Sequence, residues 1–232
     1  MIRQLASIMK VSYGTMQKIL RDELGYSRIC ARWVPRLLTN EMKGERVRVC
    51  TLWRDALAAD PTWFDNVVTM DEAWMYCYDP AMKYATTEWR PKGSEPPVKQ
   101  RATKSMSKAL AITFFDKWGV IFMHWVPRGQ TVNQHYMIKV FRQLTSVHIP
   151  RKRPEFKKGK WKVHMDNARP HLARLVLAWL AKNHIEVVPH PLYSPDLARN
   201  DFFLYPAVKK VRKGMRFESV TQLKTKCIVN CD

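Results

Sequence analysis

Apolar positions along the chain follow first a helical period and then an alternating one. Leu5, Ile8 and Met9 fall on one helical face, Val11-Ser12 makes a turn with Ser12 placed to cap the next helix, and Met16, Ile19, Leu20 and Leu24 form a second stripe. Residues 26–54 are basic and contain Trp33-Val34-Pro35-Arg36-Leu37-Leu38-Thr39, where Pro35 keeps the backbone extended before a helix beginning near Asn40. From about residue 62, short apolar or β-branched runs alternate with helical stretches. The pattern predicts strands at 66–71, 109–115 and 119–126, the last two joined by the turn Asp116-Lys117-Trp118-Gly119. A helix near 133–145, a strand at 161–166, a helix at 171–183 and a strand at 185–189 follow.

Three strands and then helix, strand, helix, strand predict an α/β fold. The antiparallel opening passes into helical crossovers, which gives a mixed sheet with helices on both faces, the arrangement of ribonuclease H-like nucleases. The expected division is a partial helix-turn-helix at 1–25, a basic linker at 26–61 and a catalytic domain at 62–232. In a helix-turn-helix, Tyr13, Thr15, Gln17, Lys18 and Arg21 would face a major groove. A helical hairpin packed on the main domain is the alternative.

Charge narrows the choice of partner. Forty Lys and Arg against twenty Asp and Glu give a formal net charge of +20 and a pI near 10, the balance of a protein that approaches a polyanion such as nucleic acid. Two basic segments stand outside the predicted scaffold. Residues 79–108, with Pro80, Pro91, Pro96 and Pro97, carry seven Lys/Arg against three Asp/Glu, a net +4, in a stretch long enough to be a functional arm. Residues 148–162 carry Arg151, Lys152, Arg153, Lys157, Lys158, Lys160 and Lys162 against Glu155 alone, a surface loop that either holds phosphates or is merely solvated. Arg36 is a further candidate DNA contact. No run of about 18 apolar residues appears, and the N-terminus lacks a signal-peptide core, so the chain reads as intracellular with no membrane partner. Cys30, Cys50, Cys77, Cys227 and Cys231 form no C-x-x-C pair, which argues against a disulfide framework or a zinc site.

Three aspartates carry the candidate chemistry. Asp71 ends the run Val67-Val68-Thr69-Met70, Asp166 lies in Val163-His164-Met165-Asp166-Asn167, and Asp201 follows Tyr193-Ser194-Pro195-Asp196-Leu197 after 34 residues intervening from Asp166. Magnesium and manganese take carboxylate oxygens, and a pair of such ions suits in-line displacement at phosphorus. Side chains alternate across a strand, so Asp71 and Glu72 face opposite ways, and Asp71 is the better ligand with Glu72 supporting or at the surface. Asn167 and His171, in Asp166-Asn167-Ala168-Arg169-Pro170-His171, are placed to orient the site without binding the ion. Asp196, after a proline, suits a turn, whereas Asp201 opens the next helix.

Taken in order, Trp33-Val34-Pro35-Arg36-Leu37-Leu38-Thr39, Met70-Asp71-Glu72-Ala73-Trp74, His164-Met165-Asp166-Asn167-Ala168-Arg169-Pro170-His171 and Tyr193-Ser194-Pro195-Asp196-Leu197-Ala198-Arg199-Asn200-Asp201 resemble the mariner-type transposases of the Tc1/mariner superfamily. They also resemble the transposase part of the histone methyltransferase–mariner fusion, although no methyltransferase segment is visible. The resemblance implies that Asp71, Asp166 and Asp201 bind two Mg²⁺ or Mn²⁺ ions, cut double-stranded DNA at terminal inverted repeats and join the 3′ ends to TA targets. It further implies a homodimer held through the linker and a clamp at 79–108, working in the nucleus. Against the family pattern, the chain begins inside the second of two helix-turn-helix units and ends soon after the third acid, so it reads as a copy truncated at both ends. Arg199 also stands where a proline is usual. Intact acids favour an active transposase; the ends favour a catalytically incompetent, sequence-nonspecific DNA-binding remnant.

Overall fold

In the computed structural model the described residues are 2–31, 33–81, 87–95, 97–98, 100, 102–156 and 160–229. They divide into two compact units, one up to Leu37 and one from Leu38 onward.

The first unit contains α1 (Ile2–Ile8) and α2 (Tyr13–Lys18), the latter capped by Ser12, whose Oγ accepts the Thr15 N–H at 3.0 Å. The second stripe does not continue as one α-helix, because residues Ile19–Glu23 form a wider π turn. Among the described residues of this unit only Ala6 and Met16 are buried, while Ile8, Met9 and Leu24 stay exposed. Tyr13, Thr15, Gln17, Lys18 and Arg21 all face solvent within the unit, and Arg36 is likewise exposed.

The second unit opens with α3 (Asn40–Ala59), whose N-terminal Thr39 accepts the Met42 N–H. The helix expected near Asn40 thus runs for 20 residues, through the second part of the segment read as a linker. Trp53 anchors it, meeting Phe64 and His164 edge-on at ring separations of 5.9 and 5.4 Å. The sheet has five strands in the order β3-β2-β1-β4-β5: β1 (Val67–Tyr76), β2 (Lys108–Asp116), β3 (Gly119–Val126), β4 (Lys162–His164) and β5 (Glu186–Val188). β1 pairs antiparallel with β2 and parallel with β4, so the sheet is mixed as expected. At the β2–β3 turn, Asp116 Oδ1 accepts the Trp118 N–H and Gly119 takes a positive φ of 127°, a conformation costly for a residue with a Cβ.

The helices α4 (Gln134–Gln143), α5 (Ile149–Lys152) and α6 (Arg174–Lys182) cover one face; α7 (Tyr205–Arg212) and α8 (Val220–Val229) cover the other. Val68, Met70, Ile112, Phe114, Phe141, Leu144 and Leu180 form the larger core, and Ala73, Met75, Phe115, Tyr205, Val208 and Leu223 the smaller. Each such fully buried large apolar side chain contributes about 1.5–3 kcal/mol. None of the helices formed by the described residues is long and apolar enough to cross a membrane.

Several expected boundaries move. β1 runs five residues past the predicted end at Asp71, to Tyr76, because Ala73 and Met75 continue the buried alternation that Glu72, Trp74 and Tyr76 interrupt. The predicted strand at 161–166 shortens to Lys162–His164, and the helix expected from 171 starts at Arg174. Residues 149–152 are helix and not loop. Arg153 is no free phosphate contact: its Nε and Nη2 donate to both oxygens of the buried Asp116 at 2.5 and 2.8 Å. Lys152 donates to the Val120 carbonyl at 2.8 Å. Arg151 is exposed, and Lys157 and Lys158 lie outside the described residues. Among the described cysteines Cys30, Cys50 and Cys77 are free thiols.

Candidate active site

Register explains how two acids far apart in sequence meet. Thr69 of β1 pairs with His164 of β4 in parallel, and Asp71 and Asp166 each stand two residues further along. Alternation has period two, so both keep the parity of that pair and emerge where β4 stops and β1 continues. The third acid arrives on a different element. Asp201 is the second residue of a π turn, Asn200–Leu204, that runs directly into α7.

The π turn is pinned to the sheet by Asn200. Its buried amide accepts the Thr69 hydroxyl at 3.0 Å and donates to the Thr113 carbonyl at 3.4 Å, tying the turn to both β1 and β2. Tyr205 adds a hydrogen bond to the Asp71 backbone carbonyl at 2.5 Å. Behind this bond lies a buried polar chain. His164 Nδ1 is 3.5 Å from the Thr69 hydroxyl, His164 Nε2 is 3.0 Å from His190 Nδ1, and Asn167 donates to the His190 carbonyl at 2.7 Å. Burial and the neighbouring His190 hold His164 down to about 3, so its ring is neutral.

On the other side His171 links two carboxylates. Nδ1 is 2.7 Å from Asp166 and Nε2 is 2.9 Å from Glu72, so both ring nitrogens donate and the ring is an imidazolium. Burial opposes that charge, but the hydrogen bonds that the ring donates to Asp166 and Glu72 outweigh it and raise the group to about 10. Burial likewise opposes ionisation of Asp166, yet the bonds from His171 and the Ala168 N–H at 3.0 Å hold it below the ordinary carboxylate value. Glu72 does face away from Asp71 and reaches the second acid only through His171.

Asp71 behaves differently. Burial first, and then the Asp201, Glu72 and Asp166 carboxylates, push it up to about 8, while Asp201 is raised by burial and by Asp166. Both raised values have neighbouring carboxylates among their causes, a concentration of negative charge that hard divalent cations suit. In this arrangement no group of three His, Cys, Asp or Glu among the described residues has its donors gathered around one point. Asp196 belongs elsewhere, paired with Arg46 of α3 through two bonds of 2.9 and 2.6 Å. Arg199 sets its guanidinium 5.1 Å from the Phe64 ring, so the residue found where a proline is usual rests against an aromatic support.

Known proteins resemble the chain in sequence and in fold. The family model described as "Transposase (partial DDE domain)" matches residues 79–159, a stretch that contains none of the three acids. The mariner Mos1 transposase of Drosophila mauritiana is 31% identical over 228 residues, covering 96% of this chain and 63% of that protein. The chain is mariner-transposase-like in sequence and in fold. The histone-lysine N-methyltransferase SETMAR of Homo sapiens is 26% identical over 221 residues, covering 94% of this chain and 31% of that one. Among solved structures, the Mos1 mariner paired-end complex with Mn matches at a TM-score of 0.84 and 28% identity over 98% of this chain and 65% of its own. The Mos1 catalytic domain alone matches at 0.68 and 26% identity, covering 85% of this chain and 84% of that domain. The sheet of this mariner-like chain is thus ribonuclease H-like, and the chain spans less than two thirds of the length of the curated relatives it matches.

Asn200, Thr69, His164 and His190 had no expected role. Only the position of Asn200 beside Asp201 hinted at one.

Proposed function

We propose that the chain is a DNA transposase or a piece of one, a metal-dependent endonuclease that cuts double-stranded DNA at terminal inverted repeats and transfers the freed 3′ ends to TA sites. The observation that carries the reading is the likeness to the Mos1 transposase over almost the whole chain, supported by the strand register that puts Asp71 and Asp166 two residues beyond one parallel pair and by the acidic neighbours that help push Asp71 up to about 8. Those three residues would hold two Mg²⁺ or Mn²⁺ ions, which supply polarisation of the scissile phosphate and stabilisation of the attacking and leaving oxygens. His171 keeps Asp166 ionised and orients both Asp166 and Glu72, and Asn200 holds the turn that presents Asp201. The names of similar structures, complexes of Mos1 with transposon ends and with Mn or Mg, support the DNA and metal assignments. The paired-end complexes among them support a homodimer, for which the 26–61 and 79–108 segments are the proposed contacts, and a DNA substrate of this kind implies work in the nucleus. The test is nicking of supercoiled plasmid in Mn²⁺, present in the parent chain and lost in Asp166→Asn. Nicking at the parent rate in that variant would remove the acids from the chemistry.

A second reading, a DNA-binding remnant without sequence preference, is favoured by the first unit. With only Ala6 and Met16 buried among its described residues, α2 has little apolar support as a recognition helix. In a competition assay it expects repeat and scrambled DNA to compete alike. A hundredfold preference for repeat DNA, about 2.8 kcal/mol, would eliminate it.

A further inference from the structure

Beyond Glu72, every second residue on the same face of β1 is aromatic: Trp74, Tyr76 and, just past the strand, Tyr78. Each ring has a cation over it. Lys108 Nζ lies 4.2 Å from the Trp74 centroid and 5.7 Å from that of Tyr76, Lys104 Nζ 4.9 Å from Tyr76, and the Arg216 guanidinium 4.0 Å from Tyr78. The row begins where core packing ends. Val68 and Met70, earlier on this face, are buried, whereas Trp74 is 45% exposed in spite of its place in the central strand. A shallow hollow lined by Trp74, Tyr76, Lys104 and Lys209 lies beside it. One exposed ring followed by two half-exposed ones, each beside a lysine or arginine, is the composition of a nucleic-acid platform, in which rings stack on bases and cations track phosphates. Spacing selects the form of nucleic acid. Alternate residues of a strand lie about 7 Å apart, twice the roughly 3.4 Å rise of stacked bases in a duplex, so successive rings match an extended strand and not a paired one.

We infer that the Trp74–Tyr76–Tyr78 row, with Lys104 and Lys108, is a binding platform for a single DNA strand that runs on from Glu72 and His171, on the face of β1 opposite to Asp71. The inference deepens the DNA-cutting reading, because a strand parted from its complement at the cut needs a surface for its unstacked bases. The test separates the two. In an Asp166→Asn background with EDTA, where no cleavage enters, fluorescence anisotropy measures the affinity for a labelled oligo-dT dodecamer and for a duplex of equal length. Trp74→Ala and Tyr76→Ala should each weaken single-strand binding tenfold or more and change duplex binding less than twofold, with Trp74→Phe retaining most of the affinity. Lys108→Gln should reduce the log–log salt slope for the single strand by about 0.7. Equal losses for both DNA forms, or none for either, would overturn the inference. If Trp74→Ala fails to fold, photocrosslinking of bromouracil DNA to the Asp166→Asn chain decides: an adduct on Trp74 or Tyr76 supports the platform, and adducts only elsewhere refute it. A parent chain that never nicks DNA in Mn²⁺ would remove the enzymatic reading while leaving this result intact.

Discussion

The Thr69 hydroxyl donates to the Asn200 side chain at 3.0 Å, and this bond fastens the turn bearing Asp201 to the strand bearing Asp71. Both residues are buried, so a lost partner has no water to replace it. Asn200→Ala should lower stability by about 1–3 kcal/mol and reduce Mn²⁺-dependent nicking more than tenfold, with duplex affinity unchanged. Thermal melting, a nicking time course and a binding isotherm on one preparation check the three parts.

Asp71 makes metal binding depend on pH. Its folded-state value of about 8 lies above the ordinary 3.8, so in metal-free protein its contribution to stability is fully present below about pH 4 and is lost as pH rises through 8. A metal ion needs the carboxylate and must expel that proton at lower pH. The stabilisation conferred by a fixed Mn²⁺ concentration should therefore grow from pH 6 to about 8 and then level off. Asp71→Asn should abolish the pH dependence, and thermal melts across the range measure it.

His171 titrates in the same direction for a different reason. Its value, raised to about 10 by Asp166 and Glu72, means that its contribution is intact below about 6.5 and is lost as pH rises through 10. His171→Gln should keep one hydrogen bond but no charge, flattening the fall in stability of metal-free protein between pH 7 and 10. An unchanged slope would show that the ring is neutral in the native state.

Arg153 and Asp116 form a buried pair, with side chains 13% and 0% exposed. Removing one partner of such a pair costs about 3–5 kcal/mol because a charge is left uncompensated. Arg153→Ala should unfold at markedly lower denaturant while its affinity for DNA at matched salt stays within twofold. A selective loss of DNA binding would restore Arg153 as a phosphate contact.

A net charge of +20 predicts strong salt dependence for DNA binding. Each neutralised phosphate contributes about 0.9 to the slope of log affinity against log salt. Titrations from low to physiological salt should give a steep straight line, and a flat one would rule out backbone contacts as the main source of affinity.

Much of the scaffold was legible because it obeys local rules. Ser12 caps α2, Pro35 precedes the helix that starts at Asn40, and Asp116 with Gly119 turns the chain between β2 and β3. Alternation also separated Asp71 from Glu72. The missed features depend on contacts between distant segments. Nothing near Glu72 signals that His171, on a segment 99 residues away, will bridge it to Asp166. Thr69 looks like an ordinary β-branched strand residue until Asn200 arrives from the π turn 131 residues later. The basic run at 148–162 misled for a related reason: charge density suggested phosphate contacts, whereas Asp116 claims Arg153.

The π turn at Asn200–Leu204 also constrains how this gene can change. An α-helix advances about 100° per residue, so deleting one residue after Asn200 would let the wide turn relax into an ordinary helix. The residues before the gap would keep their hold on Thr69 while every side chain from Tyr205 onward rotated, and Tyr205 would leave the Asp71 carbonyl. Insertions and deletions should therefore be almost absent from this one turn, whatever substitutions its exposed Phe202 and Phe203 accept.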